Sequence, residues 1–220
     1  DNMAWYGGPP LLVHLETMEL DQDTEATQDF CMPVQWVNRP HSEFRGFSGR
    51  IAAGTIKPGD EVRILPSGKT SHVDRIVTFD GDLDAAGAGQ SITLTLTDEV
   101  DCSRGQIITA AAAPLEVADQ FETTLIWMDE KPLIPGRSYY LKTRAPTVAA
   151  TVAEPKYQIN VNTMDHAAAK TLELNAIGVA NVTTDRSIPF APYAENRTLG
   201  GFILIDKITN ATVGAGLVNF

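Results

Sequence analysis

The sequence has 220 residues, 43% hydrophobic and 20% charged, with a formal net charge of −11; this is too apolar for disorder, lacks collagen or coiled-coil periods, and suffices for one large or two small cores. Cys31 and Cys102 allow one bridge at most, the uncharged runs fall short of the roughly 20 residues that cross a bilayer, and no basic-then-apolar leader opens the chain, so a reducing cytoplasm and no membrane partner are expected. The charge is uneven: residues 1–38 hold seven acids and no Lys or Arg, while the remainder is nearly balanced and offers nucleic acid no broad positive field.

Residues 9–19 predict a short helix. Pro9 and Pro10 suit an N-terminus, where a missing N–H is harmless, and Leu11, Leu12, Leu15 and Met18 form an apolar stripe. Nothing nearby in the sequence covers that stripe, and a helix of about eleven residues is marginal alone. Residues 21–29, polar and aperiodic, read as a linker. Strand patterns begin at Phe30 and run over 34–37, 47–55, 61–65, 73–79, 91–97 and 106–109; in 91–97, Ile92, Leu94 and Leu96 alternate with Ser or Thr. Lys57-Pro-Gly-Asp60 places Pro at i+1 and Gly59 at the positive-φ position of a type II turn. Pro66-Ser-Gly68 and Asp80-Gly81 mark further turns, with Gly68 expected at position i+3 of a type I turn, where a Cβ is tolerated.

Ala110-Ala-Ala-Ala-Pro114 interrupts the strands and reads as an interdomain joint. A second β series covers 121–128, 137–142, 147–153, 157–162, 172–183, 201–206 and 212–218, with Tyr157, Ile159 and Val161 expected on one strand face and one helical turn over 165–172. The expected class is therefore all-β: two consecutive antiparallel β-barrels preceded by a short helix, divided as 1–29 (terminal helix plus linker), 30–113 and 114–220.

Reactive constellations are scarce. Gly68-Lys69-Thr70 ends like a phosphate-binding loop, but that loop needs Gly five residues earlier, where Arg63 stands, and must open a helix, whereas Lys69 opens a strand. His14, His41, His72 and His166 form no i, i+4 ligand pair, and Asp80, Asp82 and Asp84 crowd a turn as a solvated cluster would. Trp5, Trp36 and Trp127 are expected in core or interdomain packing. No catalytic, cofactor-binding or metal residue is assigned. The pointed loop is Asn38-Arg-Pro-His-Ser-Glu-Phe-Arg-Gly46, whose Arg forks suit carboxylates or phosphates. An intramolecular ion pair is the commoner use of such residues; the functional reading makes Asn38, Arg39 and Arg45 contacts to a partner.

Phe44-Arg-Gly-Phe-Ser-Gly-Arg-Ile-Ala-Ala-Gly54, Ile56-Lys-Pro-Gly-Asp-Glu-Val62, Ala88-Gly-Gln90 and Ser103-Arg-Gly-Gln106 resemble the second-domain pattern of elongation factor Tu-like GTPases. Gly201-Phe-Ile-Leu-Ile-Asp206 followed by Thr212-Val-Gly-Ala-Gly216 resembles the closing hairpin of their third domain. Trp5-Tyr-Gly-Gly-Pro-Pro-Leu-Leu12, Pro33-Val-Gln-Trp-Val-Asn-Arg-Pro40 and Arg75-Ile-Val-Thr-Phe-Asp-Gly81 are similar to one branch, the GTPase subunits of bacterial sulfate adenylyltransferase. The resemblance implies translation-factor barrels of types 2 and 3, with residues 1–20 as the last helix of a nucleotide-binding domain not included here. It implies that GTP and Mg are held in that domain, that the partners are that domain and a small catalytic subunit, and that the barrels couple GTP hydrolysis to adenosine 5′-phosphosulfate synthesis without catalysing anything themselves. Two other readings stay open: translation-factor barrels that hold aminoacyl-tRNA, and a free-standing binding module.

Overall fold

The computed structural model describes residues 5–18, 27–144 and 146–219; most of the expected acidic linker lies outside them. A short helix, α1 (Leu11–Thr17), carries the apolar stripe uncovered, with none of its residues buried. Eighteen strands follow among the described residues. The first ten are β1 (Cys31–Pro33), β2 (Trp36–Asn38), β3 (Gly46–Arg50), β4 (Thr55–Ile56), β5 (Glu61–Leu65), β6 (Lys69–Thr78), β7 (Gly81–Leu83), β8 (Ala86–Gly87), β9 (Ser91–Leu96) and β10 (Ile107–Ala110). They form an antiparallel sheet in the order β1-β10-β5-β6-β9-β3-β2, with β7 on β6 and β4 paired to β8. The strand expected over 34–37 is broken, because Val34 N–H donates to Gln106 while Gln35 N–H donates to Ser48, both at 2.8 Å, and the chain thereby changes neighbours. The strand expected over 47–55 ends at Arg50 for a similar reason: Ile51 N–H turns to Gln90 and Ala52 N–H to Cys31.

The second set comprises β11 (Glu116–Trp127), β12 (Ser138–Lys142), β13 (Thr147–Val152), β14 (Tyr157–Ile159), β15 (His166–Ala167), β16 (Ile177–Phe190), a one-turn helix α2 (Arg197–Gly200), β17 (Gly201–Ile205) and β18 (Thr212–Val218). Its order is β11-β18-β17-β12-β13-β16, and β11 also pairs β16, so six strands close into a barrel. The two longest strands make that closure, from Gln120↔Thr183 to Ile126↔Ile177. The helical turn expected over 165–172 is absent. His166 and Ala167 pair instead with Ile159 and Gln158, and Leu172 is a fully buried plug whose carbonyl accepts Leu133 N–H at 2.9 Å. Strand β14 stops at Ile159, so Val161 is exposed rather than aligned with Tyr157.

Each sheet encloses its own apolar cluster, one around Phe47, Ile64, Ile76 and Leu94, the other around Trp127, Tyr139, Leu141 and Leu204. A third, small cluster joins them: Cys31, Ala52, Ala53 and Ile107 of the first barrel meet Ala191 and Leu199 of the second. Short side chains let two curved surfaces approach closely. Gln28 tightens the joint by donating to the Glu195 carbonyl at 2.6 Å and accepting from Asn196 at 3.3 Å. The Lys57–Asp60 turn has the expected form, with Gly59 at φ +90° and Asp60 N–H bonded to the Lys57 carbonyl. At Gly68 the expected tolerance of a Cβ fails. Its φ is +75°, and its N–H reaches back to Ile64 O at 2.7 Å to return the chain into the Ile64↔Lys69 register.

Candidate functional site

Asn38, Arg39 and Arg45 occupy one edge of the first barrel. Asn38 ends β2 opposite Gly46, and Arg39 enters the following loop exposed. The Arg45 guanidinium lies 5.6 Å over the Phe47 ring, and its Nη2 is 3.5 Å from Asp101 Oδ1. Lys69 Nζ reaches the other carboxylate oxygen at 3.8 Å. The Asp101 side chain is 87% exposed, so this is an intramolecular link in a screened setting. Asn38 and Phe44 also line a shallow groove of about 420 Å³ that runs to Phe79, an entirely exposed ring at the β6–β7 tip.

The neighbouring acidic turn is not simply solvated. Asp82 receives two bonds from Arg75, Nε at 2.6 Å and Nη2 at 3.0 Å, and this hydrogen bonding holds its carboxyl below the usual range. Gly68-Lys69-Thr70 lies in the β5–β6 hairpin with Lys69 as the first residue of β6. Among the described residues no three His, Cys, Asp or Glu side chains gather in a way that could hold a metal ion, and no helix is long and apolar enough to cross a membrane. Cys31 and Cys102 are both buried and form no disulfide, and burial pushes the Cys102 thiol up to about 12, away from the thiolate character that nucleophilic chemistry needs.

Among its described residues the second barrel holds one buried charged group, Asp206, at the end of β17. Its Oδ1 accepts the N–H groups of Ile208 at 2.8 Å and Thr209 at 2.9 Å, fixing the hairpin into β18, while Oδ2 takes Arg137 Nη2. Backbone hydrogen bonding from Thr209, then Ile208, holds this carboxyl below the ordinary carboxylate value. The arrangement stabilises a turn and leaves no carboxylate oxygen free for proton transfer. It is structural.

Between the barrels lies a cleft of about 1400 Å³. Its cations are Arg104 from the first barrel and Lys142, Arg144, Arg186 and Arg197 from the second, and no Asp or Glu among the described residues lines it. All five are exposed. Trp36 stands at the same cleft, 68% exposed, so the expectation of packing for this residue fails because β2 is the sheet's last strand and turns that side chain outward. Trp5 is likewise exposed, and only Trp127 is core, with its Nε1 donating to Lys131 O. Sequence reasoning missed the cleft because its cations are drawn from four separate stretches of chain, and only Ser103-Arg-Gly-Gln106 carried any sequence signal.

Comparison with known proteins gives two family matches, elongation factor Tu domain 2 over residues 47–109 and the GTP-eEF1A C-terminal domain-like family over residues 120–219. The bifunctional enzyme NodQ of Rhizobium sp. (strain N33) is 52% identical over 99% of this chain and 34% of its own length. Sulfate adenylyltransferase subunit 1 of Saccharophagus degradans is 44% identical over 99% of this chain and 46% of its own. The chain thus spans between a third and a half of the relatives it matches. A crystal structure of sup35 complexed with GMPPNP superposes with a TM-score of 0.82 at 20% identity, covering 98% of this chain and 52% of that one, which places the fold.

Proposed function

We propose a function from the premise that this chain belongs to the elongation factor Tu-like family, in the branch of sulfate adenylyltransferase subunit 1: its barrels couple a GTP-hydrolysing domain to a separate subunit that makes adenosine 5′-phosphosulfate from ATP and sulfate. The parent is a cytoplasmic transferase of sulfate assimilation. GTP and Mg belong to its nucleotide-binding domain, adenylyl transfer belongs to the small catalytic subunit, and neither nucleic acid nor a membrane is a partner of the barrels. One observation carries the reading: the likeness to this branch runs through both barrels at 44–52% identity. We assign the barrels no reacting group, and a surface of that kind acts through what it holds. Asn38, Arg39 and Arg45 are the proposed contacts on the first barrel.

A dock of standard size buries about 800 Å² on each partner. The chain on its own should therefore bind the catalytic subunit and compete with the complete GTPase subunit in a reconstituted assay. The expected result is dose-dependent loss of GTP-stimulated adenosine 5′-phosphosulfate formation, weakened by Arg39→Ala. No inhibition at large molar excess would overturn the reading, and tight tRNA retention in a filter assay would replace it with a translation-factor role.

A further inference from the structure

We propose that the cleft between the barrels docks an acidic, apolar-bearing polypeptide segment of the separate catalytic subunit; this rests on the coupling role above and adds a second contact surface to it. The chain carries net charge −11 and 17 Lys and Arg in all, yet five of those cations converge on one cleft whose described lining holds no carboxylate. Arg186 gives one guanidinium bond to the Thr147 carbonyl, and no ion pair within the described residues neutralises Arg104, Lys142, Arg144 or Arg197. Exposed cations with so little internal compensation hold open donors for carboxylates or phosphates.

Two features select a protein segment over RNA. Trp36 is exposed beside the guanidinium groups, and Trp and Arg are the residue types that dominate protein-interface hot spots. The remainder of the molecule is acidic, so a long polyanion with a charge on every unit is repelled beyond the cleft, whereas a short segment with a few carboxylates meets only the local cations, since screening ends such fields within about 8 Å at physiological salt. Both barrels contribute cations, so an occupied cleft would also tie the two barrels together. Strand β2 links the surfaces, with Trp36 in the cleft and Asn38 at the loop of the proposed first-barrel contacts.

Calorimetric titration of the catalytic subunit into this chain tests the proposal. Arg144→Glu with Arg197→Glu should weaken binding about tenfold or more, since losing charge pairs at an interface has effects of this order, and Arg144→Gln with Arg197→Gln should weaken it less. Thermal melting followed by circular dichroism should be unchanged, as both residues are exposed. If the subunit binds and charge reversal leaves its affinity unaltered, the cleft assignment is overturned and the coupling role survives. If the subunit does not bind at all, the coupling role and the proposed occupant of the cleft fall together. A Glu- and Leu-rich peptide and an RNA hairpin serve as chemical probes: binding of the peptide that charge reversal abolishes supports an acidic segment, and tighter, reversal-sensitive binding of the RNA overturns it.

Discussion

Each barrel carries one arginine lying 5.6 Å over a buried aromatic ring and paired with an aspartate, Arg45 over Phe47 with Asp101 in the first and Arg137 over Tyr139 with Asp206 in the second. The chemistry is the same and the roles are opposite. Asp101 stands in water at the edge of a loop, whereas Asp206 is buried and spends its oxygens on backbone N–H groups as well as on the guanidinium. An ion pair becomes structural when its carboxylate also satisfies backbone donors that have no other partner, because leaving those donors unpaired is what costs free energy. The pair in the first barrel has no such second task.

The rings beneath the two arginines are the sharpest test that the aromatic base is core in both cases. Tyr139→Ala and Phe47→Ala should each destabilise their own barrel by about 3–5 kcal/mol, the usual loss on truncating a buried aromatic. Denaturant unfolding can resolve the two, because the thiol of Cys102 reports on the first barrel and, with Trp5 and Trp36 replaced by Phe, the fluorescence of Trp127 reports on the second. A shift of both signals by either variant would mean that the Cys31–Ala191–Leu199 cluster couples the barrels into one unit.

After its core, the first barrel depends on its turns more than on its surface ion pair. Gly59→Val should destabilise it by about 1–3 kcal/mol through backbone strain alone, since a Cβ at this position would point into open space. Gly68→Ala should cost about 1 kcal/mol for the same left-handed conformation, more than the tolerance that the sequence alone suggests. Equal midpoints for wild type and Gly68→Ala in urea would show that the hairpin relaxes to another turn.

These turns also mark how far the fold is legible in the sequence. Pro58-Gly59 and the alternation of Ile92 and Leu94 are local signals, and the structure realises both. The closure of β11 on β16 joins residues more than fifty positions apart, and no local pattern announces it. Ala167-Ala-Ala169 favours a helix by propensity, yet pairing with Gln158 and burial of Leu172 override it. The ion-pair use of Arg45 is foreseeable as a type of contact, though not its partner Asp101. Trp36 reads as a packing residue and is not one, because an edge strand exposes residues that a central strand would bury, and the basic cleft is invisible in the sequence because it exists only once two barrels meet.

Acid tests the buried aspartate of the second barrel. The Asp206 carboxyl is held below its ordinary value in the folded chain, so ionisation favours folding; that contribution is complete above the unfolded carboxylate value of about 3.9 and is lost as pH falls through the depressed folded value. The second barrel should thus lose stability below about pH 4, and Asp206→Asn should flatten that part of its pH profile while lowering stability at neutral pH. An identical acid profile for wild type and Asp206→Asn, read from Trp127 fluorescence, would show that other carboxylates set the response.

The smallest effect is expected at Arg45. Its partner is exposed, the separation is 3.5 Å, and Lys69 offers Asp101 a second cation, so Arg45→Ala should change stability by less than about 1 kcal/mol, the range of surface ion pairs. Part of even that loss would come from the guanidinium stem leaving the Phe47 ring. A small folding effect makes the variant a clean probe of docking. If Arg45→Ala keeps its urea midpoint and binds the catalytic subunit less tightly, the lost contact was to the partner and not to Asp101. If it keeps both, Arg45 serves only its own barrel, and the proposed partner surface contracts to Asn38, Arg39 and the cleft beyond Trp36.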